Sequence, residues 1–106
     1  LMKVAGFDWD AGNWPKCGKH GVAREEVEAA LAGTPSVFPD PGHSGTEQRF
    51  LAIGRTPAGR HGLVAFTLRR RGTATLIRPV SARFMHAKEV RHYEHQSQQD
   101  PGPGER

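Results

Sequence analysis

The sequence has one cysteine, Cys17, and one tyrosine, Tyr93, among its 106 residues. A lone thiol excludes an intrachain disulfide and any zinc site built from several cysteines. No run of about 18 apolar residues occurs, which excludes a membrane-spanning helix. Leu1–Phe7 also lacks the basic and apolar regions of a signal peptide. These absences lead to the expectation of a soluble, cytoplasmic protein with no membrane partner. Acidic side chains are scarce in the second half. Between Arg55 and Arg91, Glu89 alone stands against nine cations, eight of them arginine. Residues 1–53 carry five basic and seven acidic side chains, whereas residues 54–106 carry ten and four, so the net charge of +4 conceals a strong asymmetry. Such a segment suits a polyanion, because the planar guanidinium fork matches phosphate. The plainer alternative is a solvated face on a small basic protein.

What is present suffices for one domain, expected over residues 3–95. Residues 3–10 alternate weakly and predict a short strand with Val4, Phe7 and Trp9 available to the core. Asn13, Pro15 and Gly21 mark a short helix as its cap, first-turn proline and end. Residues 24–32 predict a clearer helix, with Val27, Ala30 and Leu31 on one face and Glu25, Glu26 and Glu28 in its N-terminal half. Residues 37–45 read as a loop. Three strands follow, over residues 47–55, 62–71 and 73–81, with the first inside the sheet and Pro79 marking an exposed or bulged end of the third. A polar helix from Phe84 or Met85 to His95 precedes residues 96–106, whose composition predicts a disordered tail. The expected class is α+β: a short N-terminal strand, two helices, a three-stranded antiparallel meander and a C-terminal helix.

Several ordered stretches resemble one family. Phe7-Asp8-Trp9-Asp10, Lys19-His20-Gly21-Val22 ahead of an acidic helix, Glu47-Gln48-Arg49-Phe50, Gly54-Arg55-Thr56 and Ile77-Arg78-Pro79-Val80-Ser81-Ala82-Arg83 carry the likeness. Met85, Lys88-Glu89 and Tyr93-Glu94 continue it. Together they resemble the BrnT toxins of bacterial type II toxin–antitoxin modules. The resemblance implies a RelE-like fold and a ribonuclease that blocks translation when free. It also implies a BrnA-like ribbon-helix-helix antitoxin as partner, with DNA reached only through that antitoxin. The alternative is a non-catalytic partner that serves as corepressor of the antitoxin at its operator.

Metal-independent RNA cleavage needs a base for the 2′-hydroxyl, cations for the phosphorane, and a proton for the leaving 5′-oxygen. His20 is a candidate base or acid. Glu47 and Arg49, two apart on a strand, share a face and can pair a carboxylate with a guanidinium. Arg83 is a candidate for the phosphate and Tyr93 for proton donation or base stacking. Lys19, Arg55, Arg69 and Arg78 are the expected RNA-binding cations. Each has a structural alternative: His20 as a helix C-cap, Glu47 with Arg49 as a cross-strand ion pair, and Arg78 as a solvated residue on an edge strand. Arg83 could instead bind its own carbonyls or Glu94, and Tyr93 could be a packing residue. The triplet Arg69-Arg70-Arg71 is expected at a hairpin end, where it tracks an RNA backbone, grips an acidic antitoxin segment or merely solubilises a turn. His92 and His95 form an i, i+3 pair without a third ligand, so neither metal nor cofactor is expected. Cys17 reads as a buried residue rather than a nucleophile.

Overall fold

A computed structural model describes residues 4–43 and 45–99, with side chains through Gln96. Its elements are β1 (Gly6–Phe7), α1 (Arg24–Ala32), β2 (Ser36–Pro39), β3 (Arg49–Arg55), β4 (His61–Arg71), β5 (Ala74–Phe84) and α2 (Ala87–Gln99). The α+β class holds. The sheet, however, is five-stranded and mixed, in the order β1-β5-β4-β3-β2, with β1 parallel to β5 and the other pairs antiparallel. The expected meander is its centre, not its whole extent.

Alternation in β3 and β4 decides which side of the sheet is covered. Phe50, Ala52 and Gly54 face the same way as their partners Phe66, Val64 and Gly62. This inner face receives α1, whose Val27 and Leu31 join Val64, Phe66, Ile77 and Ala82 in the core. Phe66 and Val27 are 0% exposed, and the Phe50 and Phe66 rings stack at 5.4 Å. The outer face carries Arg49, Leu51, Ile53 and Arg55 from β3, opposite Thr67, Ala65, Leu63 and His61 from β4. In β5 the register shifts between Pro79 and Ser81, so that Pro79 pairs with Phe66 and Val80 is the extra residue.

Several expectations are corrected. The first strand shrinks to Gly6–Phe7, because only these residues align with Leu76 and Ile77 of β5. The short helix after it is a 3-10 turn, Lys16–Gly18, and Asn13 does not cap a helix. Instead, buried Asn13 donates to the carbonyls of Asp8 and Pro79, each at 2.9 Å, and accepts from Asp10 N–H. Removing it would orphan two carbonyls, at about 1–3 kcal/mol each. The loop expected over residues 37–45 contains β2, a strand that the prolines at 35, 39 and 41 masked. Pro79 does not end β5 but lies buried at the bulge inside it, where a missing N–H breaks no regular pairing. Phe84 closes β5 rather than opening α2, and α2 continues through Gln99. Residues 100–106 of the expected tail lie outside the described residues.

α1 follows its N-cap Ala23, whose N–H donates to Glu26 at 2.9 Å, with Glu25 and Glu26 favourably placed in the first turn. It ends at Gly33, whose N–H returns to Ala29. The helix backbone lies so close to β3 that a Cβ on Gly54 would fall 2.2 Å from the Ala30 carbonyl oxygen. Gly54→Ala must therefore push α1 off the sheet, at a cost of about 2 kcal/mol or more. Chemical denaturation should show this loss, and an unchanged midpoint would contradict the packing.

Candidate functional site

At the end of the sheet, α2 crosses the strands from β5 towards β2, held by side chains from each. Arg83 of β5 forks onto Glu89 with two bonds of 2.8 Å and also donates to the Phe84 carbonyl. His61 of β4 meets the Tyr93 ring edge-on at 6.0 Å. The Tyr93 hydroxyl is hydrogen-bonded to the Ser36 hydroxyl of β2, and Glu94 lies 3.9 Å from Arg55 of β3. Between this helix and the end of α1 opens a cleft of about 640 Å³, bordered by Gly33, Thr34, Arg55, His61, Tyr93 and Glu94.

The cleft brings an imidazole, a phenol, a carboxylate and a guanidinium together. The hairpin register places His61 directly opposite Arg55. Arg55 Nε–H donates to His61 Nε2 at 3.1 Å, so the neutral imidazole carries its proton on Nδ1. A further guanidinium N–H of Arg55 reaches the Gly59 carbonyl at 3.4 Å. These groups can accept a proton, donate one and neutralise a phosphate.

Of the sequence candidates, Arg55 and Tyr93 are in the cleft. Arg83 is on the neighbouring strand with its fork turned to Glu89, not to Glu94. His20 and Lys19 are exposed between the 3-10 turn and α1, and their side chains make no hydrogen bond or ion pair among the described residues. A three-residue turn has no dipole for His20 to cap. Glu47 pairs with Arg69 across the sheet, at 2.8 and 3.2 Å, rather than with Arg49. Arg49 lies 3.6 Å from Asp40. Arg55 lies six positions along the strand from Arg49, roughly 20 Å, so the two cannot grip one phosphate. Arg78 is not solvated on an edge. Its side chain is 13% exposed and binds Asp8 and Asp10 at 2.9–3.1 Å, while Arg71 also reaches Asp8. Arg78 and the Gly12 N–H hold the Asp10 carboxyl below its ordinary range. Cys17 is buried, and burial pushes its thiol up to about 11, which removes it as a nucleophile near neutrality. Among the described residues no three potential metal ligands converge, and no helix is long and apolar enough to cross a membrane.

The sequence profile of the ribonuclease toxin BrnT, of type II toxin–antitoxin systems, matches residues 9–89. The chain belongs to this family. No individual curated protein matches it. Membership makes it a toxin of a type II toxin–antitoxin system, from a family of ribonucleases whose partner is a protein antitoxin. The BrnT match contains Arg55, His61, Arg83 and Glu89, whereas Tyr93 and Glu94 lie beyond it. Besides Glu94, His61 is the cleft residue that sequence reasoning missed. Its one signal was its place across a short turn from Arg55, which becomes informative only once the hairpin register is known.

The Arg83–Glu89 fork has a pH signature. Arg83, followed by the His86 N–H, holds the Glu89 carboxyl down at about 2, against an ordinary value of 4.5. A lowered folded-state value gives stabilisation that is complete above 4.5 and is lost as pH falls towards 2. NMR or circular dichroism should therefore show α2 loosening over that interval. Glu89→Gln should remove the step and loosen α2 at neutral pH; a step that persists in this variant would assign it elsewhere.

Proposed function

We propose that this chain is an endoribonuclease that cleaves RNA without a metal, at the cleft formed by Arg55, His61, Tyr93 and Glu94, and is neutralised by a ribbon-helix-helix antitoxin. The observation that carries the reading is the Arg55–His61–Tyr93 arrangement within a family of ribonuclease toxins. His61 takes the 2′-hydroxyl proton as that oxygen attacks phosphorus and the bond to the 5′-oxygen breaks. Tyr93 returns a proton to the leaving oxygen, with its hydroxyl positioned by Ser36. Arg55, steadied by Glu94, turns from His61 to the phosphate and thereby frees Nε2 as the base. The products are a 2′,3′-cyclic phosphate and a 5′-hydroxyl. The RelE-like fold belongs to the same proposal, as does the cytoplasm as its location. His20, Glu47 and Arg49 lie outside this reaction, and Lys19, Arg69, Arg78 and Arg83 are left as RNA-contact candidates at most.

One observation favours the second reading, a non-catalytic corepressor of the antitoxin: Arg69, Arg78 and Arg83 are all engaged by the protein's own carboxylates. A single experiment separates the two. Folded, antitoxin-free protein is incubated with RNA in excess chelator and assayed in a cell-free translation system. Cleavage with cyclic-phosphate ends is expected, falling about 10²- to 10⁴-fold in His61→Ala and by a smaller factor in Tyr93→Phe. Glu47→Gln should leave the rate unchanged. No cleavage by wild type under either condition supports the corepressor, and full activity in both cleft variants overturns the assignment of the site.

A further inference from the structure

The triplet Arg69-Arg70-Arg71 does not act as one patch. Side chains alternate along β4, so Arg69 and Arg71 go to the outer face, where Glu47 and Asp8 bind them. Arg70 goes to the inner face beside Leu68, is exposed and makes no ion pair among the described residues. That face is not fully covered by α1. Past the helix's last turn lies a groove of about 620 Å³ whose walls include Val4, Leu31, Val37, Phe50, Leu68 and Ile77. No ionisable side chain lines it. The edge strand β2 opens onto it through Val37, 39% exposed, and β2 pairs only with β3 among the described residues.

We propose that this groove, with Arg70 two positions beyond Leu68 on the same face of β4, is the docking surface for the antitoxin, and that it takes a segment bearing aliphatic side chains and an acidic residue. The uncharged walls offer nothing to a phosphate, which favours a protein segment over RNA as the occupant. Aliphatic anchors fill such a groove by burying apolar surface, and the Arg70 guanidinium selects a carboxylate beside them. The groove shares Gly33 and Thr34 with the catalytic cleft, and Ser36, which holds Tyr93, begins the strand that borders it. A docked antitoxin therefore abuts the cleft without using its catalytic groups. The inference rests on the antitoxin partnership in the proposed function, not on the cleavage chemistry.

The test uses the full chain and, as probe, the small protein encoded by the adjacent gene, titrated by calorimetry. Val37→Glu and Arg70→Glu, both at exposed positions, should each weaken binding about tenfold or more. They should keep the wild-type melting temperature and RNA cleavage rate. His61→Ala should bind the probe as wild type does, so a failed cleavage assay leaves this comparison intact. Wild-type affinity in both groove variants overturns the proposal. So does a change in self-association of the free chain, which would make the groove a contact between copies. Loss of RNA cleavage with probe binding retained would also overturn it, by assigning the groove to RNA.

Discussion

The register of β4 is the constraint on which the other features depend. Val64 and Phe66 must meet α1, and with a side-chain period of two this sends His61, Leu63, Ala65, Thr67, Arg69 and Arg71 outward and Arg70 inward. A slip of one residue would exchange the two sets and expose the centre of the core. The same register sets His61 across from Arg55, which creates the hydrogen bond at the centre of the cleft. β5 conforms through its bulge, which lets buried Pro79 pair with Phe66 while Ser81 stays level with Ala65. The Pro79 carbonyl is then taken by Asn13, so the turn after β1 is tied to the bulge itself.

The electrostatics of the folded chain differ from its composition. Asp8 and Asp10 from the N-terminal segment, Glu47 before β3 and Glu89 in α2 bind Arg71, Arg78, Arg69 and Arg83. Partly exposed pairs of this kind contribute little stability each. Their consequence is positional: they fix β1 to β5, the approach to β3 and the start of α2. Arg60 is likewise occupied, lying 3.5 Å over the Phe84 ring. Much of the cationic excess is therefore distributed among structural forks, while Arg55 at the cleft is lightly held by exposed Glu94, and Arg70, Lys88 and Arg91 make no ion pair among the described residues.

Cleft and groove are on either side of the short link from α1 to β2. Gly33 and Thr34 border both, and the next polar side chain, Ser36, holds Tyr93. Gly54 gives the link its position, because only a residue without Cβ lets α1 lie this near to β3. The geometry of the cleft and the apolar surface thus depend on one close helix–sheet approach.

Local signals in the sequence determined the parts with short-range causes. The α1 boundaries followed from its apolar spacing, its acidic first turn and Gly33; β3, β4 and the core of β5 followed from alternation; burial of Cys17 followed from its isolation. The ordered family stretches also identified the toxin class. Only the tertiary structure revealed β2, whose prolines read as a loop until β3 supplied a partner, and cut the expected first strand to the two residues of β1 that pair with β5. It alone gave Glu47 to Arg69, Arg78 to Asp8 and Asp10, and His61 to Arg55. The physical reason is common to all of these. Spacing along a strand fixes which face a side chain takes, but its partner comes from a neighbouring strand, and that depends on a register set by burial across the whole sheet.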